Sequence, residues 1–253
     1  MIVRPVAVMM TIALLAAGAA MSQTEWNQYP GNPVIPAPAP GAWDAGNRNP
    51  LAVVFFDGTY HLYFNGQAEG SPAFLYYDIG HAWSTNGVDW TVDPDPVLTR
   101  GAQGEWDDTS LWGAAVIHDG SLFKMWYCGL HDGIKRAGYA WSDDGTDWHK
   151  YYEHNPVMDV SPGFFDEREV KPGAVVLRGG LYQMWYTGAT VWNAPPYDWR
   201  IGYAESNDGI TWLRRSEPVL VPGLPWEGYF LYGPSVLFDG ATYHIWYTGG
   251  GYG

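Results

Sequence analysis

Aromatic and polar positions alternate in short runs, each introduced by a glycine turn, at a step of about 60 residues along the chain. The turns stand at Gly58, Gly120, Gly180 and Gly240, spaced by 62, 60 and 60 residues. The runs that follow them are Tyr60-His61-Leu62-Tyr63-Phe64, Phe123-Lys124-Met125-Trp126-Tyr127, Tyr182-Gln183-Met184-Trp185-Tyr186 and Tyr243-His244-Ile245-Trp246-Tyr247. A period of two predicts strands. A second echo, Gly80–Ser84, Gly138–Ser142 and Gly202–Ser206, predicts a further strand in three copies. It leads into Ser-x-Asp/Asn-Gly-x-x-Trp at Ser84–Trp90, Ser142–Trp148 and Ser206–Trp212, where the Asn-Gly and Asp-Gly steps predict structural turns with a packed Trp. In the third copy, Ala174–Leu177, Leu181–Thr187, Ile201–Glu205 and the closing hairpin give four antiparallel strands with little room for a long helix. One such sheet cannot bury both faces alone, whereas radial repetition lets it do so. The expected fold is all-β: a β-propeller of four-stranded antiparallel blades, strands A to D running outward from the axis.

The repeat also separates scaffold from chemistry. The A–B and C–D turns are short and uniform. The B–C loops (67–78, 130–136 and 189–199) and the D–A connections vary, so binding groups are expected on their face. An aromatic followed by an acid begins every connection into an A strand: Trp43-Asp44, Trp106-Asp107, Phe165-Asp166 and Trp226-Glu227. Recurrence marks these acids as scaffold. The positions just beyond diverge, offering Arg48 and Asn49, then Asp108 and Trp112, then Glu169 and Lys171, then Tyr232. Glu169 and Lys171 are two apart and share a face of their strand. A charge pair there is costly unless paired or wet, so it reads either as function or as a salt bridge between blades.

Composition narrows the partner. Among 253 residues are 15 Trp and 18 Tyr, and the formal net charge is −14, which excludes an extended nucleic-acid or anionic-membrane surface. Stacking aromatics suit a neutral, hydroxyl-rich ligand. Arg4 and the apolar run Val6–Ala20, too short for an ordinary membrane span, predict a signal peptide over residues 1–22 and a secreted or periplasmic propeller domain over 23–253. An uncleaved anchor is the alternative. Cys128, the single cysteine, reads as a buried neutral thiol.

The phrases Asn155-Pro156-Val157-Met158 and Glu217-Pro218-Val219-Leu220, the Asp-Gly-x-Tyr-x-x-Trp-Tyr hairpin and the Gly-Tyr-Ala-x-Ser hairpin resemble the five-bladed propeller glycosidases of families 43, 62, 32 and 68, with the mannoside phosphorylases of family 130. The resemblance covers about Asn32 to the C-terminus. It implies a poly- or oligosaccharide substrate and cleavage by two carboxylates in the funnel. Glu169 is the expected general acid and Asp108 its partner, with Asp44 second. Arg48, Asn49, Trp112, His131, Lys171 and Tyr232 are expected to bind the sugar. No cofactor or strong metal site is expected, although such funnels accommodate a structural calcium ion. Family 43 enzymes commonly carry an Asp-Pro step on the first inner strand, where this chain has Asn49-Pro50. That departure keeps open a non-catalytic glycan-binding propeller, and Arg48, Arg168 and Lys171 keep open a phosphorylase of family-130 type. The fourth copy lacks its second hairpin, so a C-terminally incomplete propeller of about three and a half blades is expected, some 90 residues short of five.

Overall fold

The computed structural model describes residues 27–191 and 198–250. The predicted signal peptide and part of the 189–199 loop lie outside the described residues. Two units divide the chain, Met1–Asn32 and Pro33–Gly253. In the first, a turn closes with the Asn32 amide donating to the Tyr29 carbonyl at 3.1 Å.

The second unit is built of antiparallel strands in the expected order. The first blade contains β1 (Asn47–Phe56), β2 (Thr59–Gln67), β3 (Asp78–Ser84) and β4 (Thr91–Val92). β5 (Ser110–His118), β6 (Phe123–His131), β7 (Ile134–Ser142) and β8 (His149–Lys150) form the second. β9 (Glu169–Arg178), β10 (Leu181–Ala189), β11 (Arg200–Ser206) and β12 (Leu213–Arg214) form the third. A 3-10 turn at Pro225–Glu227 precedes the hairpin of β13 (Phe230–Phe238) and β14 (Tyr243–Gly250). The inner strands β1, β5, β9 and β13 pack against one another in succession.

The blade-2 loop expected over 130–136 is instead mostly strand. β6 runs to His131 and β7 starts at Ile134, joined by Asp132-Gly133 at φ 50° and 72°. Both residues take the left-handed backbone of a tight hairpin turn, which Asp and Gly tolerate. The extension lets Lys135 of β7 pair in parallel with Glu169 of β9, joining blades 2 and 3 into one sheet.

The cores lie between blades. Tyr63, Ile79, Leu111, Phe123, Met125 and Tyr127 pack in one, and Trp126, Tyr139, Tyr182, Met184 and Tyr186 in the next. Each large buried side chain contributes about 1.5–3 kcal/mol. Polar latches cross the same seams. The Tyr63 hydroxyl donates to the Gly145 carbonyl at 2.8 Å, and Trp126 Nε1 to the Gly209 carbonyl at 2.7 Å. These glycines belong to the repeated Ser-x-Asp/Asn-Gly turns, whose own Trp148 and Trp212 also donate to the same carbonyls. Gly145 sits at φ +82°, where a Cβ would lie 2.9 Å from the Tyr63 oxygen, so position and conformation both require glycine.

Candidate active site

The four recurring acids are framework. Asp107 and Asp166 are buried and accept from Tyr127 at 3.1 Å and Tyr186 at 3.0 Å. A cation from the outermost strand joins each, Lys150 at 2.6 Å and Arg214 at 3.2 Å. Glu227 accepts from Tyr247 at 2.6 Å and from the Gly223 and Leu224 amides. Blade 1 has Phe64 and Val92 where the other blades have a tyrosine or a cation. There Arg48 serves both roles, binding Asp44 at 2.6 Å while its guanidinium lies 4.9 Å from the Phe64 ring centre. Asp44 and Arg48, expected in the site, are thus engaged with each other in the blade-1 framework.

The divergent positions occupy the starts of the inner strands. Asn49, Trp112, Lys171 and Tyr232 hold equivalent places, and each strand bulges just beyond. Bulges re-aim side chains, and the residues left out of the register are Leu51, Gly113 and Gly173, with Gly233 and Pro234 in β13. Gly113 has a second duty: a Cβ there would come within 2.6 Å of the Lys171 side chain. Lys171 therefore lies flat against β5 and donates to the Tyr232 hydroxyl. Its ammonium is 5.9 Å from the Trp112 ring centre. Asn49 donates to Asn65 at 3.0 Å.

Glu169 is fully buried. Its Oε2 accepts from Lys135 Nζ at 2.9 Å and from Trp199 Nε1 at 3.2 Å, while Oε1 has no hydrogen-bond partner among the described residues. The ion pair joins blades 2 and 3, so the structural and the chemical readings of this position meet in one side chain. Burial pulls the Lys135 amine down most strongly, but the charge and hydrogen bond of Glu169, together with Cys128 and Tyr232, outweigh it and hold the group above the usual lysine value. Lys135 also stands 5.3 Å from the Trp112 ring centre. Trp112 Nε1 is a second buried polar atom with no hydrogen-bond partner among the described residues. Cys128, paired across from Trp112, is buried and its thiol is pushed up to about 12 by desolvation.

Asp108 lies one step outside β5 and binds His131 Nδ1 at 2.8 Å, the Gly104 amide at 2.7 Å and the Thr109 hydroxyl at 2.9 Å. Burial raises its carboxyl, but these hydrogen bonds outweigh it and hold the group below the usual aspartate value. The Asp108 hydrogen bond in turn raises His131. Among the described residues no carboxylate other than Glu169 bonds to Lys135, Lys171, Trp112 or Tyr232. The structure thus gathers Glu169, Lys171, Trp112 and Tyr232, and leaves Asp108 and His131 as a separate pair at the mouth of blade 2. The Lys135 ammonium already pairs with Glu169, the one carboxylate of this group. Among the described residues no cluster of three or more His, Cys, Asp or Glu could hold a metal.

Lys135 and Trp199 were not singled out by the sequence, yet the repeat contains their signal. Tyr77, Lys135 and Trp199 stand at one position, three residues before Gly80, Gly138 and Gly202. Each leans onto the next inner strand: Tyr77 at 4.8 Å from the Trp112 ring, Lys135 on Glu169, Trp199 at 5.3 Å from the Tyr232 ring. Divergence at that position was as visible as at the A strands.

Two uncharacterized Mycobacterium tuberculosis proteins are each 29% identical over 236 residues, covering 88% of this chain and 74% of theirs. A 1,2-beta-oligomannan phosphorylase of Thermoanaerobacter sp. is 31% identical over 128 residues, 47% of this chain and 42% of that protein. A solved glycoside hydrolase superposes with a TM-score of 0.67 at 18% identity, covering 83% of this chain and 67% of that one, which supports the propeller fold. Residues 45–171, from just after the first recurring acid through the Glu169–Lys171 pair, match the glycosyl hydrolases family 32 N-terminal domain, and the chain belongs to that family.

Proposed function

We propose that this chain acts on glycosidic bonds of a neutral oligo- or polysaccharide outside the cytoplasm, with Glu169 as its acid–base carboxyl. The observation that carries the reading is the carboxyl itself, fully buried, fixed through Oε2 and with no hydrogen-bond partner at Oε1 among the described residues. A buried acceptor in that condition is costly, and a sugar hydroxyl or glycosidic oxygen at Oε1 removes the cost. Trp112 Nε1 offers the matching donor. Hydrolysis needs a second carboxylate, for which Asp108, held ionised beside β5, is the candidate.

Phosphorolysis is the second reading, favoured by the Lys135 and Lys171 ammonium groups that both stand near the Trp112 ring. In it phosphate supplies the attacking oxygen in place of water, and cations attract it. The phosphorylase relative supports this alternative.

The test is product analysis with levan and β-1,2-mannan oligosaccharides, with and without inorganic phosphate. Free sugars released without phosphate support hydrolysis, and a phosphate-dependent sugar phosphate supports phosphorolysis. Glu169→Gln should lower kcat by about 100-fold or more, the range of a lost acid–base group. Unchanged turnover in that variant removes Glu169 from the chemistry. Binding without turnover in the unaltered protein leaves a non-catalytic glycan-binding propeller.

A further inference from the structure

The loop between β2 and β3 presents two large aromatics in a conformation that costs free energy. Phe74 and Tyr76 sit at φ 66° and 64°, the left-handed region. For such residues this costs roughly 1–2 kcal/mol each. They are also half exposed, at 50% and 45%, so packing of their rings does not explain the strain. What holds them is a set of polar clamps on their neighbours. Gln67 Nε2, on a buried side chain, donates to the Pro72 carbonyl at 2.8 Å and the Leu75 carbonyl at 2.7 Å. The Tyr76 amide donates to the Thr109 carbonyl at 3.0 Å, and the Tyr77 amide to Ser110 Oγ at 3.0 Å. The loop is fixed to the start of β5, the strand that carries Trp112.

Strain that the surroundings impose on bulky exposed residues is a mark of function. The position of these rings says which function. Phe74 stacks on Trp112 at 6.0 Å between ring centres and 28° between planes. Trp112 in turn faces Lys135, which binds Glu169. Tyr76 has the Arg100 guanidinium 5.2 Å from its ring centre, and Arg100 is anchored on Asp78 at 3.1 Å. A line of aromatic surface therefore runs from the buried carboxyl outward over blade 1. Blade 2 has only the Asp132-Gly133 turn at the corresponding place and offers no such surface.

We propose that Phe74 and Tyr76 form a distal subsite that stacks on a sugar ring beyond the one held at Glu169, so that the substrate is a neutral oligosaccharide of several units. The inference rests on the proposed function. Continuity with Trp112 selects a ligand already threaded into the axial site, and aromatic faces select the apolar face of a sugar.

Binding of levan and β-1,2-mannan oligosaccharides of two to six units would be measured calorimetrically in the Glu169→Gln background, which limits turnover. Phe74→Ala and Tyr76→Ala should each weaken the longer ligands about tenfold, close to 1.4 kcal/mol, and leave the two-unit ligands within about twofold. Phe55→Ala, which removes an exposed aromatic from the far end of β1, should change neither. Phe74→Gly, which also relieves the backbone, should keep or raise the melting temperature while losing the same affinity. Equal loss at every length, or no loss, overturns the subsite while leaving the proposed function in place. Failure of the parent protein to bind any of these sugars overturns both.

Discussion

Replacing Lys135 with methionine tests whether the axial carboxyl depends on its cation. The pair is 2.9 Å long, with side-chain exposures of 10% for Lys135 and 1% for Glu169. Removing one partner of a buried pair leaves the other charge uncompensated, at about 3–5 kcal/mol. Methionine keeps most of the lysine stem volume, so the loss reports charge rather than a cavity. For a domain of this size each kcal/mol lowers the melting temperature by about 2–4 °C, which puts the expected drop at roughly 6–20 °C. Urea unfolding at neutral pH would measure it, with the m-value checked for constancy. Lys135→Met combined with Glu169→Gln should recover much of the loss, because the orphaned charge is gone, and the two changes should be non-additive by about 0.5–3 kcal/mol. A loss below about 1 kcal/mol, additive with that of Glu169→Gln, would refute the coupling argued here.

Asp166→Asn should destabilise by about 1–3 kcal/mol, through the weakened contacts to Tyr186 and Arg214, yet leave KM unchanged, as denaturation and kinetics run on the same sample would show. Trp126→Phe should cost about 0.5–1.5 kcal/mol for the lost bond to Gly209, read from urea midpoints; no cost would remove the latch from the account of the seam. Burial lowers both His81 and His61 from 6.5, with repulsion between them adding to the effect on His61 and Asp93 and Asp144 opposing it. The unfolded chain therefore takes up protons that the folded one refuses, so stability is full above about pH 6.5 and falls below it. Urea midpoints from pH 7.5 to 5.5 should fall less steeply in His61→Gln than in the unaltered protein.

The four-copy echo made most strands legible because each blade repeats one solution to one packing problem. Trp126 and Tyr63 occupy the same register and do the same job across their seams. The recurring acids were readable as framework for that reason, and Tyr127, Tyr186 and Tyr247 show what they hold. Asp132-Gly133 was a readable turn signal, but the loop estimate passed over it, and with it the extension of β7 that brings Lys135 to Glu169. The partners that hold Asp108 were not readable. Chain position places Asp108 and Glu169 at A-strand entrances, but the local claim of His131, Gly104 and Thr109 on Asp108 depends on how the D–A connection folds back. The strain at Phe74 and Tyr76 was equally hidden, because it is imposed by Gln67 and by β5 rather than by the loop's own residues.

The seam latches set a timetable for synthesis. The Tyr63 hydroxyl finds its acceptor 82 residues later in the chain, and the Trp126 indole 83 residues later. At about 5–20 residues per second on the ribosome, each blade waits about 4–16 s for the turn that completes its flank. During that interval the newest blade carries an unsatisfied donor on the aromatic wall that its successor will cover. Assembly therefore trails translation by about one blade, and a pause placed just before Gly145 or Gly209 would prolong the period in which that wall is open to the wrong partner.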